Sequence, residues 1–201
     1  SIAALITEDT VVVKSAPYIE PTASGPIKAF AVEFYKNGKL LRNKIKNHPR
    51  YPYHLLREEM QEFILDKLQL LIERKLIKGI GENGTEYTVI AQILDLPKEI
   101  LRLIQKFDFT KKNPKLIYIN TGETMISLQD SILVTFLNLA GFDILFFVPT
   151  GYQSVENYFA EKLMEEHQIG EYKYDMQVPD LNNISTNSTR PSWRRKLFRR
   201  G

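Results

Sequence analysis

The chain has 201 residues and 43% of them are hydrophobic, so it is long enough to bury a sizeable core. It contains no cysteine, which excludes disulfides and thiolate metal sites and favours a reducing cytoplasm. Net charge is +3, and no run reaches the roughly 18–20 uninterrupted apolar residues of a membrane helix, so we expect no membrane span.

The positive charges are unevenly distributed. Six arginines and lysines and no acidic residue follow Asp180, and removing these six charges from the net +3 leaves −3 for residues 1–180. Nucleic-acid-binding domains place their basic residues on a folded face, so this distribution argues against nucleic acid as a partner. A basic tail with Trp193 and Phe198 has two interpretations, contact with anionic lipid or nucleic acid and a disordered solubilising end, of which the second is favoured.

The first 52 residues predict an irregular segment with a hairpin. The β-branched run at residues 10–13 is typical of a strand, and Asn37-Gly38 between apolar runs is a strong hairpin signal. Residues 43–54 are rich in basic and aromatic side chains and contain two prolines, which predicts a loop.

Residues 53–112 predict a helical subdomain. Apolar residues recur every three or four positions between residues 56 and 78, which indicates an amphipathic helix with Gly79 as its stop. Residues 85–94 fit a strand or a helix, and we favour a short helix with Thr85 as its N-cap. Asp95 then caps a further helix with a buried apolar stripe.

Residues 113–180 alternate between strand and helix patterns. Short runs rich in apolar residues at 115–120 and 143–149 predict buried strands, with an intervening helix capped by Ser127 and a capping-box role for Asp130. A second helix is predicted at residues 154–168 with Ser154 as its N-cap, followed by a third strand or an extended edge at residues 170–179. Strand, helix and strand at this spacing indicate a βαβ unit with parallel strands.

The predicted fold class is therefore α/β, with a small parallel Rossmann-like βαβ core and an N-terminal subdomain of mixed hairpin and helices. The predicted segments are residues 1–52, 53–112, 113–180 and a flexible basic tail at 181–201.

Ligands of open α/β sheets bind beyond the carboxyl ends of the strands, where two Thr-Gly loops occur here. Glu123 is their only carboxylate and the candidate catalytic residue. The amides of the Ser154 helix are suited to an anion. Neither loop matches a phosphate-binding fingerprint, so ordinary turns are the competing interpretation. The candidate ligand-binding residues are Asn120, Thr121, Gly122, Thr150, Gly151, Tyr152 and Ser154.

Other candidate sites are weaker. The three histidines are scattered, so no metal site is predicted. The basic and aromatic residues 46–57 fit either a wall that grips sugar or phosphate or a surface loop whose tyrosines pack on the following helix, and the second interpretation is favoured.

The stretch FDFTKKNPKLIYINTGETMISLQDSILVTFLNLAGFDILFFVPTGYQSVENYF, residues 107–159, resembles the YceG-like family of bacterial proteins. The resemblance is clearest over residues 105–176 and extends back to about Tyr53. It implies a C-terminal portion of a longer protein, in agreement with a chain that begins without Met. It also implies a link to tellurite-resistance and general-stress gene clusters, a place in a biosynthetic module, and other proteins of the cluster as partners. No reaction, catalytic residue or cofactor carries over.

The patterns and the family resemblance together suggest three functions. The first is the ligand-binding part of a group-transfer enzyme, of glycosyl or nucleotide type, that uses a nucleotide-activated or phosphorylated substrate. In it Glu123 contacts sugar hydroxyls or acts as a base, while Thr150, Gly151 and Tyr152 seat phosphate. The second is a non-catalytic scaffold in a stress-response complex, docking through the Leu-rich helix and the basic tail. The third is a nucleic-acid binder.

Overall fold

A computed structural model describes residues 2–14, 17–20, 27–106, 112–123, 126–152 and 155–178. Its helices and strands alternate along the chain. The strands are β1 (Thr10–Val13), β2 (Tyr35–Lys36), β3 (Lys39–Leu40), β4 (Lys115–Ile119) and β5 (Asp143–Phe147). The α-helices are α1 (Arg42–Lys46), α2 (Glu58–Glu73), α3 (Thr85–Ile93), α4 (Lys98–Lys106) and α5 (Leu128–Leu139), and 3₁₀ helices span Ile2–Leu5 and Lys28–Phe34.

β1, β4 and β5 form a parallel three-stranded sheet in the order β1-β4-β5, and the two loops of the predicted site follow β4 and β5. In its middle, Ile117 of β4 is paired with Val12 on one side and Leu145 on the other. α5 connects β4 to β5, so the predicted parallel pair and its crossover helix are confirmed. Interleaved helices and parallel strands give an α/β arrangement.

The predicted hairpin also forms, but its first arm is short. β2 and β3 pair antiparallel around Asn37 and Gly38, whose φ angles are 52° and 80°. Two successive left-handed residues match the twist of a two-residue hairpin, which explains the Asn-Gly pair. The preceding residues form a 3₁₀ helix that buries Phe34, and α1 replaces part of the predicted loop because Ile45 is fully buried.

α2 confirms the long amphipathic helix, although its end lies earlier than predicted. The helix ends at Glu73, and Lys75 adopts a left-handed φ of 49°, so Gly79 is not the stop. Leu65, Leu68 and Leu71 have no exposed surface. The leucine face of α2 therefore belongs to this chain's own core. The scaffold hypothesis requires this face to dock a partner, and it is not available for that.

The two following helices are confirmed with one corrected cap. Gly84, at φ 85°, is the N-cap of α3. Thr85 is the first helical residue, and its hydroxyl donates to Asn83 Oδ1 at 2.6 Å. Glycine suits this position because the left-handed region is open to it without a steric penalty. α4 buries Ile100, Leu103 and Ile104, the stripe that the sequence predicts.

Ser127 caps α5 as predicted. Its Oγ accepts a hydrogen bond from the backbone N–H of Asp130 at 3.0 Å. Asp130 does not serve in the predicted capping box, because its two carboxylate oxygens accept hydrogen bonds from the backbone N–H groups of Tyr18 and Ile19 at 2.9 and 2.8 Å. The residue at the third helical position thus anchors a distant loop.

Replacing Ser127 with alanine is expected to destabilise the fold by about 1 kcal/mol, since one N–H of the first turn of α5 loses its acceptor. Urea denaturation measures the change. Ser127→Thr keeps a hydroxyl acceptor and is the matched control. Equal losses in both variants would show that the side-chain cap contributes nothing.

The helix predicted after Ser154 and the strand predicted near residue 175 are wrong for the described residues 155–178, which contain neither. Phe159 is instead buried in the core, in an isolated bridge with Ile77. The amides of Lys78 and Ala160 donate to the carbonyls of Tyr158 and Leu76, both at 2.9 Å. The burial of Phe159 and these hydrogen bonds between distant segments fix an extended conformation that no local sequence pattern encodes.

Two apolar clusters cover the sheet. The large cluster joins Phe34, Leu65, Ile90 and Phe136 to Leu116 of β4, so elements from three predicted segments share one core. A smaller cluster on alternate residues of β4 packs against the 3₁₀ helix Ile2–Leu5. The predicted segment boundaries at residues 52, 112 and 180 stay a prediction, and the basic tail lies outside the described residues.

Candidate functional site

The two predicted loops begin side by side at one edge of the sheet. Ile119, the last residue of β4, is paired with Phe147, the last residue of β5. The pairing continues for one further bond, because the N–H of Asn120 donates to the carbonyl of Phe147 at 2.9 Å. Residues 120–123 and 149–152 therefore leave the sheet together at its carboxyl edge, and we call these two stretches the rim.

Asn120 shapes the first stretch of the rim. It is 8% exposed, and its Oδ1 accepts a hydrogen bond from the N–H of Gly122 at 3.3 Å. This bond turns the chain immediately after β4, as asparagine side chains commonly do. Thr121 is half-buried, whereas Gly122 and Glu123 are exposed. The carboxylate of Glu123 is thus open to a ligand rather than held in the core.

Thr150 and Gly151 shape the second stretch. Thr150 is 6% exposed, and its hydroxyl accepts from the N–H of Tyr152 at 3.4 Å. Gly151 has φ 72° and donates to the carbonyl of Val148 at 3.0 Å. The left-handed backbone explains the glycine. Tyr152 follows with 48% of its surface exposed, so it is the accessible side chain of this turn.

A later segment packs on the rim where the Ser154 helix was expected. Lys173 donates its N–H to the carbonyl of Pro149 at 2.8 Å, and the ring of Tyr172 lies so close to Gly151 that a Cβ there would overlap it. Ser154 lies outside the described residues, and no helix follows in residues 155–178. The helix N-terminus proposed as an anion site is therefore absent from the described part of this loop.

Asp130 lies at the start of α5. It is fully buried, and its oxygens hold the N–H groups of Tyr18 and Ile19, which follow β1. Burial raises the pKa of this carboxyl, while the two backbone hydrogen bonds act in the opposite direction. Burial also raises the pKa of the Tyr118 phenol in β4. Through its two hydrogen bonds, Asp130 attaches the loop that follows β1 to the start of α5.

A cleft of about 280 Å³ lies along β1 and α4, with no rim residue in its lining. Lys14 and Arg102 line it together with Glu8 and Glu99, so its charges are mixed. The Tyr18 hydroxyl donates to Glu99 across it. We favour the rim as the ligand site because the carboxyl ends of parallel strands, and not the side of an edge strand, are where such sheets bind ligands.

The aromatic side chains of the segment 46–57 do not form an exposed binding wall. Tyr51 and Tyr53 are each 2% exposed and contact one another edge to face at 5.7 Å. Lys46 forms ion pairs with Glu58, at 2.5 Å, and with Glu62. The favoured interpretation is confirmed in that both tyrosines are buried, but the Tyr53 hydroxyl bonds Ile93 and Leu96 rather than the helix that follows the loop.

The histidines and the acidic side chains of the described residues form no metal site. These residues contain no group of three histidine, aspartate or glutamate side chains arranged to hold a metal ion. His48 packs against the rings of Phe30 and Phe34, with centroids at 4.4 and 5.3 Å. Within the same part of the chain, every helix is too short or too polar to cross a bilayer.

Comparison with known proteins adds the family. A family model described as the YceG domain matches residues 3–189. The chain belongs to the YceG family. A curated relative, "Uncharacterized protein YceG" of Bacillus subtilis (strain 168), is 23% identical over 180 residues, which cover 87% of this YceG chain and 34% of the relative. The chain thus spans about a third of the length of that relative. No solved structure matches.

Sequence reasoning missed the tertiary contacts of two residues of this YceG domain. Tyr172 lies on the rim from 21 positions after Gly151 in the chain, and Asp130 bonds residues 112 and 111 positions away. The only local signal for the position of Tyr172 was Gly151, a glycine just after a predicted strand. Nothing local marks the contacts of Asp130.

Proposed function

We propose that this chain is the ligand-binding part of a group-transfer enzyme, of glycosyl or nucleotide type, that takes a nucleotide-activated or phosphorylated substrate at the rim. One observation supports the proposal most. Two polar Thr-Gly loops leave adjacent parallel strands at the same edge, joined by the hydrogen bond from Asn120 to Phe147. This is the position at which open α/β sheets, including Rossmann-like ones, bind their ligands.

The exposure of the rim residues suggests a division of roles. The hydroxyl of Thr121 contacts phosphate, and the exposed Gly122 has no side chain to hinder the approach of the ligand. The exposed carboxylate of Glu123 contacts sugar hydroxyls or acts as a base. Thr150 and Gly151 hold the second loop in shape, which leaves the exposed Tyr152 to contact the ligand.

We infer a wider setting from the resemblance to the YceG-like family. We place the chain in a cytoplasmic protein of a stress-response or tellurite-resistance module, whose other proteins are its partners. Because the match covers 34% of the relative, we expect regions outside the matched part to contribute to the complete cleft.

Nucleotides are expected to raise the melting temperature of the chain. A ligand at about a hundredfold excess over its Kd adds about 2.7 kcal/mol, which for a chain of this size corresponds to roughly 5–10 °C. Differential scanning fluorimetry with ADP, UDP and UDP-glucose measures the shift. Glu123→Ala and Thr121→Val should reduce it, because each removes one polar group from the rim.

Glu82→Ala is the matched control, since Glu82 is an exposed glutamate in the turn before α3. It should leave the nucleotide shift unchanged. No shift with any nucleotide, or an equal shift in Glu123→Ala, would overturn the proposed site. A stable complex with other stress-module proteins in the absence of nucleotide binding would favour the scaffold.

A further inference from the structure

The side chain of Tyr172 packs on the rim through contacts between residues far apart in the sequence. Tyr172 lies against Gly151, where any β-carbon would overlap its ring. The next residue, Lys173, is held by the 2.8 Å hydrogen bond from its N–H to the carbonyl of Pro149. The glycine and the backbone bond together place this ring beside the second loop, without support from a helix or strand.

The ring remains open to solvent despite this contact. Tyr172 is 54% exposed and Tyr152, the residue after Gly151, is 48% exposed. Two half-exposed tyrosines therefore flank one glycine at the carboxyl edge. Aromatic faces of this kind bind flat rings, and stacking of a base on an aromatic side chain is favourable and tolerant of base identity.

We propose that Tyr172 stacks on the base of a nucleotide whose phosphate and sugar occupy the rim. The inference rests on the proposed function and narrows its substrate class to nucleotides and nucleotide-activated compounds, to the exclusion of plain sugar phosphates. Tyr152, the exposed residue that follows Gly151 in the chain, contacts the sugar or the base.

Binding of ADP, UDP, ribose 5-phosphate and pyrophosphate, measured by isothermal titration calorimetry, tests the inference. Both nucleotides should bind roughly 5- to 150-fold more tightly than ribose 5-phosphate, the range expected for one stacked base. Tyr172→Ala should abolish this preference and leave ribose 5-phosphate unaffected. Tyr172→Phe should retain it, because stacking does not need the hydroxyl.

Two further variants separate stacking from a general loss of structure. Gly151→Ala displaces the Tyr172 ring without removing it, so it should abolish the base preference as Tyr172→Ala does. Tyr174→Ala removes an exposed tyrosine two positions away, 61% exposed, and should change nothing. Urea denaturation of each variant verifies that it is folded.

The outcomes distinguish the two proposals. If ribose 5-phosphate binds as tightly as the nucleotides, or if Tyr172→Ala keeps the base preference, the stacking role is overturned while the rim remains a phosphate site. If none of the four probes binds, the proposed function is overturned together with the inference.

Discussion

Tyr53→Ala is expected to destabilise the fold by about 3–5 kcal/mol, the usual cost of removing a large buried ring. Tyr53 is 2% exposed, and its hydroxyl makes two hydrogen bonds. It donates to the carbonyl of Ile93 at 2.5 Å and accepts from the N–H of Leu96 at 3.0 Å. The side chain thus joins the segment before α2 to the connection between α3 and α4, and its loss leaves a cavity and two unpaired backbone groups.

Urea denaturation measures this change, and Tyr53→Phe divides it into its two parts. The phenylalanine keeps the ring but leaves the Ile93 carbonyl and the Leu96 N–H without their partner, which costs about 1–3 kcal/mol. Tyr174→Ala, at an exposed site, is the control and should stay within about 0.5 kcal/mol of the parent chain. A Tyr53→Phe variant as stable as the parent would contradict the bridging role of the hydroxyl.

Local patterns were sufficient wherever one element determines its own structure. The period of apolar residues identified α2, the Ser127 cap identified α5, and Asn37-Gly38 identified a hairpin because both residues must adopt left-handed backbone conformations. The apolar runs of β4 and β5, separated by one helix, implied parallel strands, since such a connection returns the chain to the same end of the sheet. The side-by-side placement of the rim loops follows from this.

Elements that depend on distant partners were not predictable. Residues 155–159 carry a helix-like pattern, yet Phe159 is buried beside the end of α2 and its neighbours bond to residues 76–78. A local periodicity contains no information on that partner. The same reason explains Tyr172, which occupies the rim through Gly151 and Pro149.

Asp130 is a further case in which a correct local position concealed a tertiary role. Its place at the third helical residue suggested a capping box, but its oxygens bond Tyr18 and Ile19. Asp130→Ala is expected to cost about 2–6 kcal/mol, because two backbone donors lose their acceptors at about 1–3 kcal/mol each. Asp130→Asn should cost less, since its amide keeps one acceptor oxygen. Urea denaturation of the three chains at pH 7 gives these values.

The pH dependence of the stability difference between the parent chain and Asp130→Asn tests the electrostatic environment of Asp130. Burial raises the pKa of Asp130, so the folded chain retains this proton at pH values where an unfolded aspartate, with a pKa near 3.9, has lost it. The folded state then binds more protons than the unfolded state, and the contribution of Asp130 to stability falls as pH rises from about 4 through the raised pKa. The amide of the Asp130→Asn variant does not titrate, so the stability of the parent chain relative to this variant should decrease across this window and level off above it. A relative stability that increases with pH would mean that the hydrogen bonds from Tyr18 and Ile19 outweigh burial and that the carboxylate, and not the acid, is the form this fold prefers.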